Sequence, residues 1–374
     1  MDFNVESWPI EKLLALYKEK KLNLNPPYQR NPIWSKGAQK SLIESIKSNA
    51  PLPTFFLLKK GKENYEMVDG QQRTRALILY NNTNELDEKG SLEPFKSTGF
   101  PKYPLNITII TSLSSGEHIE DYYAKINSSG LALNRPETFK ARYFNTKFLE
   151  LVEGIVKRND FALLKLVPEN SKKRMLDRDL VEELVALTIH NITDKKEQVE
   201  KMYESDLSKA EIDKATTLFN KAMDVVTEFN KIKPISTTRY RQRNDFYTLF
   251  GFITAHTNYD NATFKHFYNI LLAVELGIKP DRTGCPPLYE YALNCITQSN
   301  SSVARERRLN IMQGLFGDNN PKKLSTIQST VAKYYSVPKS GLEVINNNLT
   351  FTPSTLSSAV VAKEKPSLVS QAAI

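Results

Sequence analysis

Residues 65–68 read as a short apolar strand and residues 71–81 as a helix, with only Asp69 and Gly70 between them. A strand that turns directly into a helix fixes one corner of the fold, and that corner has a chemical use. The first turn of a helix leaves backbone N–H groups unpaired and carries partial positive charge, and a glycine there lets the backbone approach a ligand closely. Arg73 adds a fixed cationic fork and Arg75 follows two positions later. Gln71 and Gln72 can donate and accept toward a base or ribose, and Asp69 supplies an acceptor for a hydroxyl, a water or a metal ion. These residue types in this order suit a nucleotide. Asp-Gly is also an ordinary turn dipeptide, and glutamines and arginines in a first turn can simply face water.

Upstream, the apolar positions Ala38, Leu42, Ile43 and Ile46 place a helix that Pro51 and Pro53 stop. A strand at 54–59 and a turn at 60–64 follow, giving a compact α-β-β-α unit with the strand at 65–68 and the helix after it. On these residues the sequence resembles the family named after the N-terminal domain of the GmrSD modification-dependent restriction enzymes. That family's signature is this same Asp-Gly-Gln-Gln-Arg within a ParB/sulfiredoxin-like fold. Pro26-Pro27-Tyr28-Gln29-Arg30, followed by Trp34, is similar to its Pro-x-Tyr-Gln-Arg segment and downstream Trp, with Pro32 as a departure inside the loop.

Ser114 and Glu117 have capping-box spacing, and Ile119, Tyr122, Tyr123 and Ile126 recur at helical intervals, so a helix is expected to end near Asn127. A second box, Asn134 with Glu137, starts the next helix. The loop between them, Asn127-Ser128-Ser129-Gly130 through Leu133, is similar to the family's Asn-x-x-Gly-x-x-Leu loop; by itself it also reads as a well-capped turn. Arg174-Met175-Leu176-Asp177 is similar to the family's Arg-Met-x-Asp opening, with capping or ion pairing as the expected role of Asp177. The resemblance spans residues 8–320, its specific motifs lying in the first 140.

The resemblance implies an α+β protein: a ParB/sulfiredoxin-like α/β domain followed by a mainly α-helical domain. It implies a nucleoside triphosphate site in which Asp69 and Arg73 are catalytic, with Asp69 also the candidate Mg²⁺ ligand. Gly70, Gln71, Gln72, Arg75, Tyr28, Gln29, Arg30, Lys125, Asn127 and Gly130 are the nucleotide-binding candidates. The expected function is nucleotide binding and hydrolysis coupled to recognition of foreign or modified DNA, as in bacterial anti-phage defence. Two alternatives stay open: a non-catalytic DNA-binding or adaptor protein with a nucleotide switch, and a regulatory component working with an enzyme on another chain.

The chain has 374 residues, which at about 150 residues per domain suggests two domains. The expected divisions are 1–112, 113–320 and a C-terminal extension at 321–374, mobile from about 352, where Ser, Ala, Val and Lys replace periodic sequence. No apolar run approaches the ~20 residues needed to span a bilayer and the first residues lack a signal-peptide pattern, so a cytoplasmic protein is expected. Cys285 and Cys295 are too few for a metal cluster and read as buried reduced thiols. The net charge of +9 is clustered: residues 231–245 hold five basic residues against one acidic, with Tyr240 between Arg239 and Arg241 and with Arg243 beyond. Basic residues interleaved with an aromatic suit a DNA backbone and base stacking, although a solvated face explains the charge equally well. His118, His190, His256 and His266 lack the spacing of a ββα-metal nuclease, so strand cleavage is expected to need a separate component.

Overall fold

The computed structural model describes residues 1–28, 34–83, 99–127 and 134–365. The chain forms a mixed α/β N-terminal region followed by a largely helical one. By contacts it divides into unit 1, Met1–Asn145 with Glu169–Leu176, and unit 2, Thr146–Pro168 with Asp177–Ile374.

Unit 1 is built on five strands: β1 (Asp2–Pro9), β2 (Leu22–Asn23), β3 (Phe55–Lys59), β4 (Tyr65–Asp69) and β5 (Pro104–Ser112). They lie in the order β1-β5-β3-β4-β2. β1 runs antiparallel to β5, β5 parallel to β3, β3 antiparallel to β4, and β4 parallel to β2. Side chains alternate between the two faces of a strand, so the apolar runs of β3 to β5 feed two cores at once. Phe55, Leu57, Met67, Leu105, Ile107 and Ile109 face one layer, made by α1 (Ile10–Lys18), α2 (Lys36–Lys47) and α3 (Gln71–Thr83). Leu58, Val68 and Ile110 face the other, where α4 (Ile119–Asn127) and α5 (Arg135–Arg142) bring Ile119, Tyr123 and Ala141.

The expected boundary at 112 is therefore too early. Without α4 and α5 the apolar residues on the second face of the sheet would stand in water. The predicted α-β-β-α order is present, and the Asn134/Glu137 box caps α5 in both directions, at 3.0 and 2.9 Å. Ser114 and Glu117 instead form a turn ahead of α4, which starts only at Ile119.

Unit 2 contains α6 (Lys147–Val156) and α7 (Asn159–Leu163), while the short α8 (Glu169–Lys172) returns the chain to unit 1. There follow α9 (Leu176–His190), α10 (Lys195–Ser205), α11 (Lys209–Ile232), α12 (Arg243–Ala255), α13 (Asn261–Val274), α14 (Pro286–Ile296), α15 (Ser302–Phe316) and α16 (Thr326–Tyr335). A hairpin of β6 (Leu342–Ile345) and β7 (Asn348–Phe351) and a last helix, α17 (Pro353–Glu364), complete it. Stacked aromatics tie the centre together, with Phe229 on Tyr268 at 4.4 Å and Phe252 on Phe267 at 3.7 Å between ring centroids. The expected mobile tail from 352 is corrected here. Leu356 and Val360 of α17 are fully buried and the helix packs on α13, so residues 353–364 belong to the core. Among the described residues no helix is long and apolar enough to cross a membrane.

Candidate functional site

The β4–α3 corner is as tight as its sequence suggests. Gly70 has φ +105°, a conformation L side chains rarely adopt, and a Cβ built there would collide with the Phe55 ring. Register explains the crowding: Asp69 lies opposite Phe56, next to an irregularity in the β3–β4 pairing, which brings Phe55 under the turn. The glycine is thus required by the neighbouring strand as well as by any approach to a ligand. Gly70→Ala is expected to destabilise unit 1 by about 3 kcal/mol, combining a left-handed alanine with overpacking. Urea unfolding followed by tryptophan fluorescence measures it, because the chain's 2 tryptophans, Trp8 and Trp34, both lie in unit 1. A loss under ~1 kcal/mol would show that the turn relaxes.

The side chains after the glycine hold the fold together. The Arg73 guanidinium is 9% exposed; it donates to the Pro53 carbonyl, to the Thr54 carbonyl at 3.1 Å and to Asp69 Oδ2 at 2.7 Å, and lies 4.3 Å over the Phe55 ring. Burial pulls its pKa down, and the Asp69 carboxylate opposes that shift. Gln71, buried, donates to the Leu24 carbonyl at 2.6 Å and accepts from Gln72 Nε2 at 3.1 Å. Gln72 Oε1 accepts from the Trp34 amide at 3.3 Å, and Arg75 donates to Asn25 Oδ1. Most of the signature therefore fastens the strand before it and the chain on either side of the upstream motif. Asp69, with 31% of its side chain exposed, is open to a ligand.

Tyr28 and α4 meet on the second face of the sheet, beside this corner. Tyr28 packs on Tyr123 at 5.5 Å and shares a cluster with Val68, the residue before Asp69. Tyr28, an expected nucleotide contact, is placed within this cluster. Its ring is buried, its hydroxyl is enclosed without a partner, and burial, then the charges of Glu66 and Glu120, raise its pKa. Lys125 is exposed in the last turn of α4. Gln29, Arg30, Gly130 and the side chain of Asn127 lie outside the described residues.

One pairing was not expected from the sequence. Glu137, wholly buried, accepts from Arg174 at 2.7 Å, while Asn134 Nδ2 donates to the Arg174 carbonyl at 2.8 Å. The capping box hinted at Glu137 alone; nothing local linked it to an arginine 37 residues away.

The tight Asp-Gly corner, with its glutamines and arginines turned onto the segment bearing Tyr28 and Trp34, lies inside a stretch that resembles a known domain family. Residues 10–144 match the GmrSD restriction endonuclease, N-terminal domain. The GmrSD-like segment ends one residue before the first break in unit 1, and so includes α4 and α5. No curated protein and no solved structure matches the chain.

Outside the GmrSD-like segment, three of the four residues expected to meet DNA, Arg239, Tyr240 and Arg243, turn inward to protein partners. Tyr240 is fully buried and its hydroxyl donates to the Leu271 carbonyl at 3.0 Å, so its ring cannot stack on a base. Arg239 grips Asp245 with Nε at 3.0 Å and a terminal nitrogen at 3.2 Å, and gives its other terminal nitrogen to the Ile278 carbonyl at 2.9 Å. Burial opposes the Arg239 charge, but Asp245 outweighs it and the pKa rises. Arg243 bridges Asp179, at 2.6 Å, and Glu183, both on α9. Arg241 alone of the four is exposed. Charge density along the sequence had no way of showing that α9 carries buried acids to meet Arg243. The thiols do conform to expectation as free cysteines, with burial pushing Cys285 up to about 11 and Cys295 up to about 12.

Proposed function

We propose that unit 1 binds a nucleoside triphosphate at the β4–α3 corner, and that the chain works in restriction or anti-phage defence by coupling that nucleotide to recognition of DNA. The observation that carries this reading is the Gly70 turn, which presents a helix N-terminus beside a partly exposed carboxylate within the segment matching the GmrSD N-terminal domain. The first bond of α3 runs from the Thr74 amide to the Gly70 carbonyl at 2.8 Å, so the amides before it lie at the positive end of the helix and suit phosphate oxygens. Arg73 holds one oxygen of Asp69, leaving the other to meet a hydrated Mg²⁺ or to orient a water. A single carboxylate fits Mg²⁺ that keeps most of its water shell and takes its remaining ligands from phosphates. When bound, such an ion would neutralise charge developing on the transferred phosphoryl group. Strand cleavage, in this reading, belongs to another chain.

A second reading makes the nucleotide a switch without turnover in a DNA-binding or adaptor protein. It is favoured by the engagement of Arg73 with Pro53, Thr54 and Asp69, which keeps its guanidinium from standing over the phosphates. Calorimetry and phosphate release with ATP and with GTP, each with and without DNA, separate the two. Hydrolysis predicts that wild type releases phosphate and that Asp69→Asn keeps nucleotide affinity within a few-fold while turnover falls on the order of 100-fold. Binding without release by wild type selects the switch. No binding of either nucleotide removes both readings.

A further inference from the structure

We propose that the outer edge of β1 is a docking site for an extended, basic segment of a partner protein, which joins the sheet as a sixth strand. β1 closes the strand order, and among the described residues no strand lies beyond it. Its eight residues pair along β5 from Asp2 opposite Ser112 to Pro9 opposite Pro104, so alternate amides and carbonyls face outward on the other edge. Natural sheets usually guard such an edge with lysine, proline, a bulge or short length. In β1 the only proline is the last residue, no lysine or arginine occurs, and the one irregularity lies at its far end, between Asp2 and Phe3.

The side chains are as open as the edge. Phe3 is 59% and Val5 68% exposed. Both stand on the same face, opposite Ile110 and Thr108 of β5, so they prolong the second apolar face of the sheet past the helices that cover it. The other face presents Asp2, Asn4 and Glu6. Glu6 is oriented by the Trp8 indole N–H at 2.6 Å, with Lys12 at 3.8 Å, and Asp2 accepts from Ser112 Oγ at 2.5 Å.

Charge chooses the occupant. If a second copy of β1 paired antiparallel in the register that sets Phe3 against Val5, Asp2 would meet Glu6 twice, and like charges directly opposite are destabilising. A strand with apolar residues at alternate positions and Lys or Arg between them satisfies both faces, while its backbone completes the edge.

The probe is a blocked, fluorescently labelled eight-residue peptide alternating valine and lysine, titrated into the full chain and read by anisotropy. Saturable binding is expected, weakened at least tenfold by the double variant Asp2→Lys/Glu6→Lys, whose folding is checked by tryptophan fluorescence. Independently of any variant, N-methylating the peptide's pairing-edge amides leaves its charge unchanged and is expected to weaken binding at least tenfold. A valine–glutamate peptide should bind at least tenfold more weakly than the lysine one. Absence of binding, or equal binding of the N-methylated and parent peptides, overturns the proposal. So does a dimer of the unliganded chain in sedimentation that Val5→Lys abolishes, since a second copy would then own the edge.

Discussion

Replacing Arg73 by alanine is expected to destabilise unit 1 by about 4 kcal/mol, because several buried interactions are lost together. Two backbone carbonyls, Pro53 and Thr54, lose their donor inside the protein, and the Phe55 ring loses the cation above it. Asp69→Ala should cost less, about 2 kcal/mol: the buried Arg73 charge loses its carboxylate, but it keeps both carbonyls. Urea titration of tryptophan fluorescence separates these outcomes. The contrast bears on function, since an inactive Arg73→Ala protein would say little about phosphate contacts until its folding had been measured, whereas an inactive Asp69 variant is a cleaner report on the site. Equal, small losses for both variants would show that Arg73 does not hold the corner.

The second large effect lies in unit 2. Asp245→Ala is expected to cost about 4 kcal/mol by leaving the Arg239 charge buried without its bidentate partner. Arg241→Ala, two residues from Arg239 in the same sequence cluster, should stay within about 0.5 kcal/mol of wild type. Denaturant unfolding followed by helical circular dichroism measures both. A tolerated Asp245→Ala would mean that solvent reaches Arg239 once the carboxylate is gone.

These two pairs also show what a sequence reveals and what it hides. Local pattern gave the corner well: Leu42, Ile43 and Ile46 are the buried face of α2, and the strand-to-helix turn falls at Asp69-Gly70 as read. The break between α10 and α11 falls at Asp206, whose φ of +56° no apolar periodicity signals. β1 escaped notice because it is made by pairing with β5, a hundred residues on, and buries little of its own alternation. In the site, residue types suggested ligands where the structure shows staples: a glutamine or arginine looks the same in sequence whether it meets a phosphate or a neighbour's carbonyl. The basic run misled for the same reason, since Arg239 turns inward onto Asp245 within the run and Arg243 onto acids of α9, some sixty residues away.

Unit 1 is finished by Glu169–Leu176, a piece of chain that arrives after residues 146–168 have gone to unit 2. During synthesis the sheet and its five helices therefore leave the ribosome before Arg174, the cation that answers the buried carboxylate of Glu137. For that interval the Glu137 carboxylate stands without its guanidinium partner. An expression boundary drawn at residue 144 or 145 would make that unfinished stage permanent, whereas a fragment reaching residue 176 keeps Arg174 with Glu137.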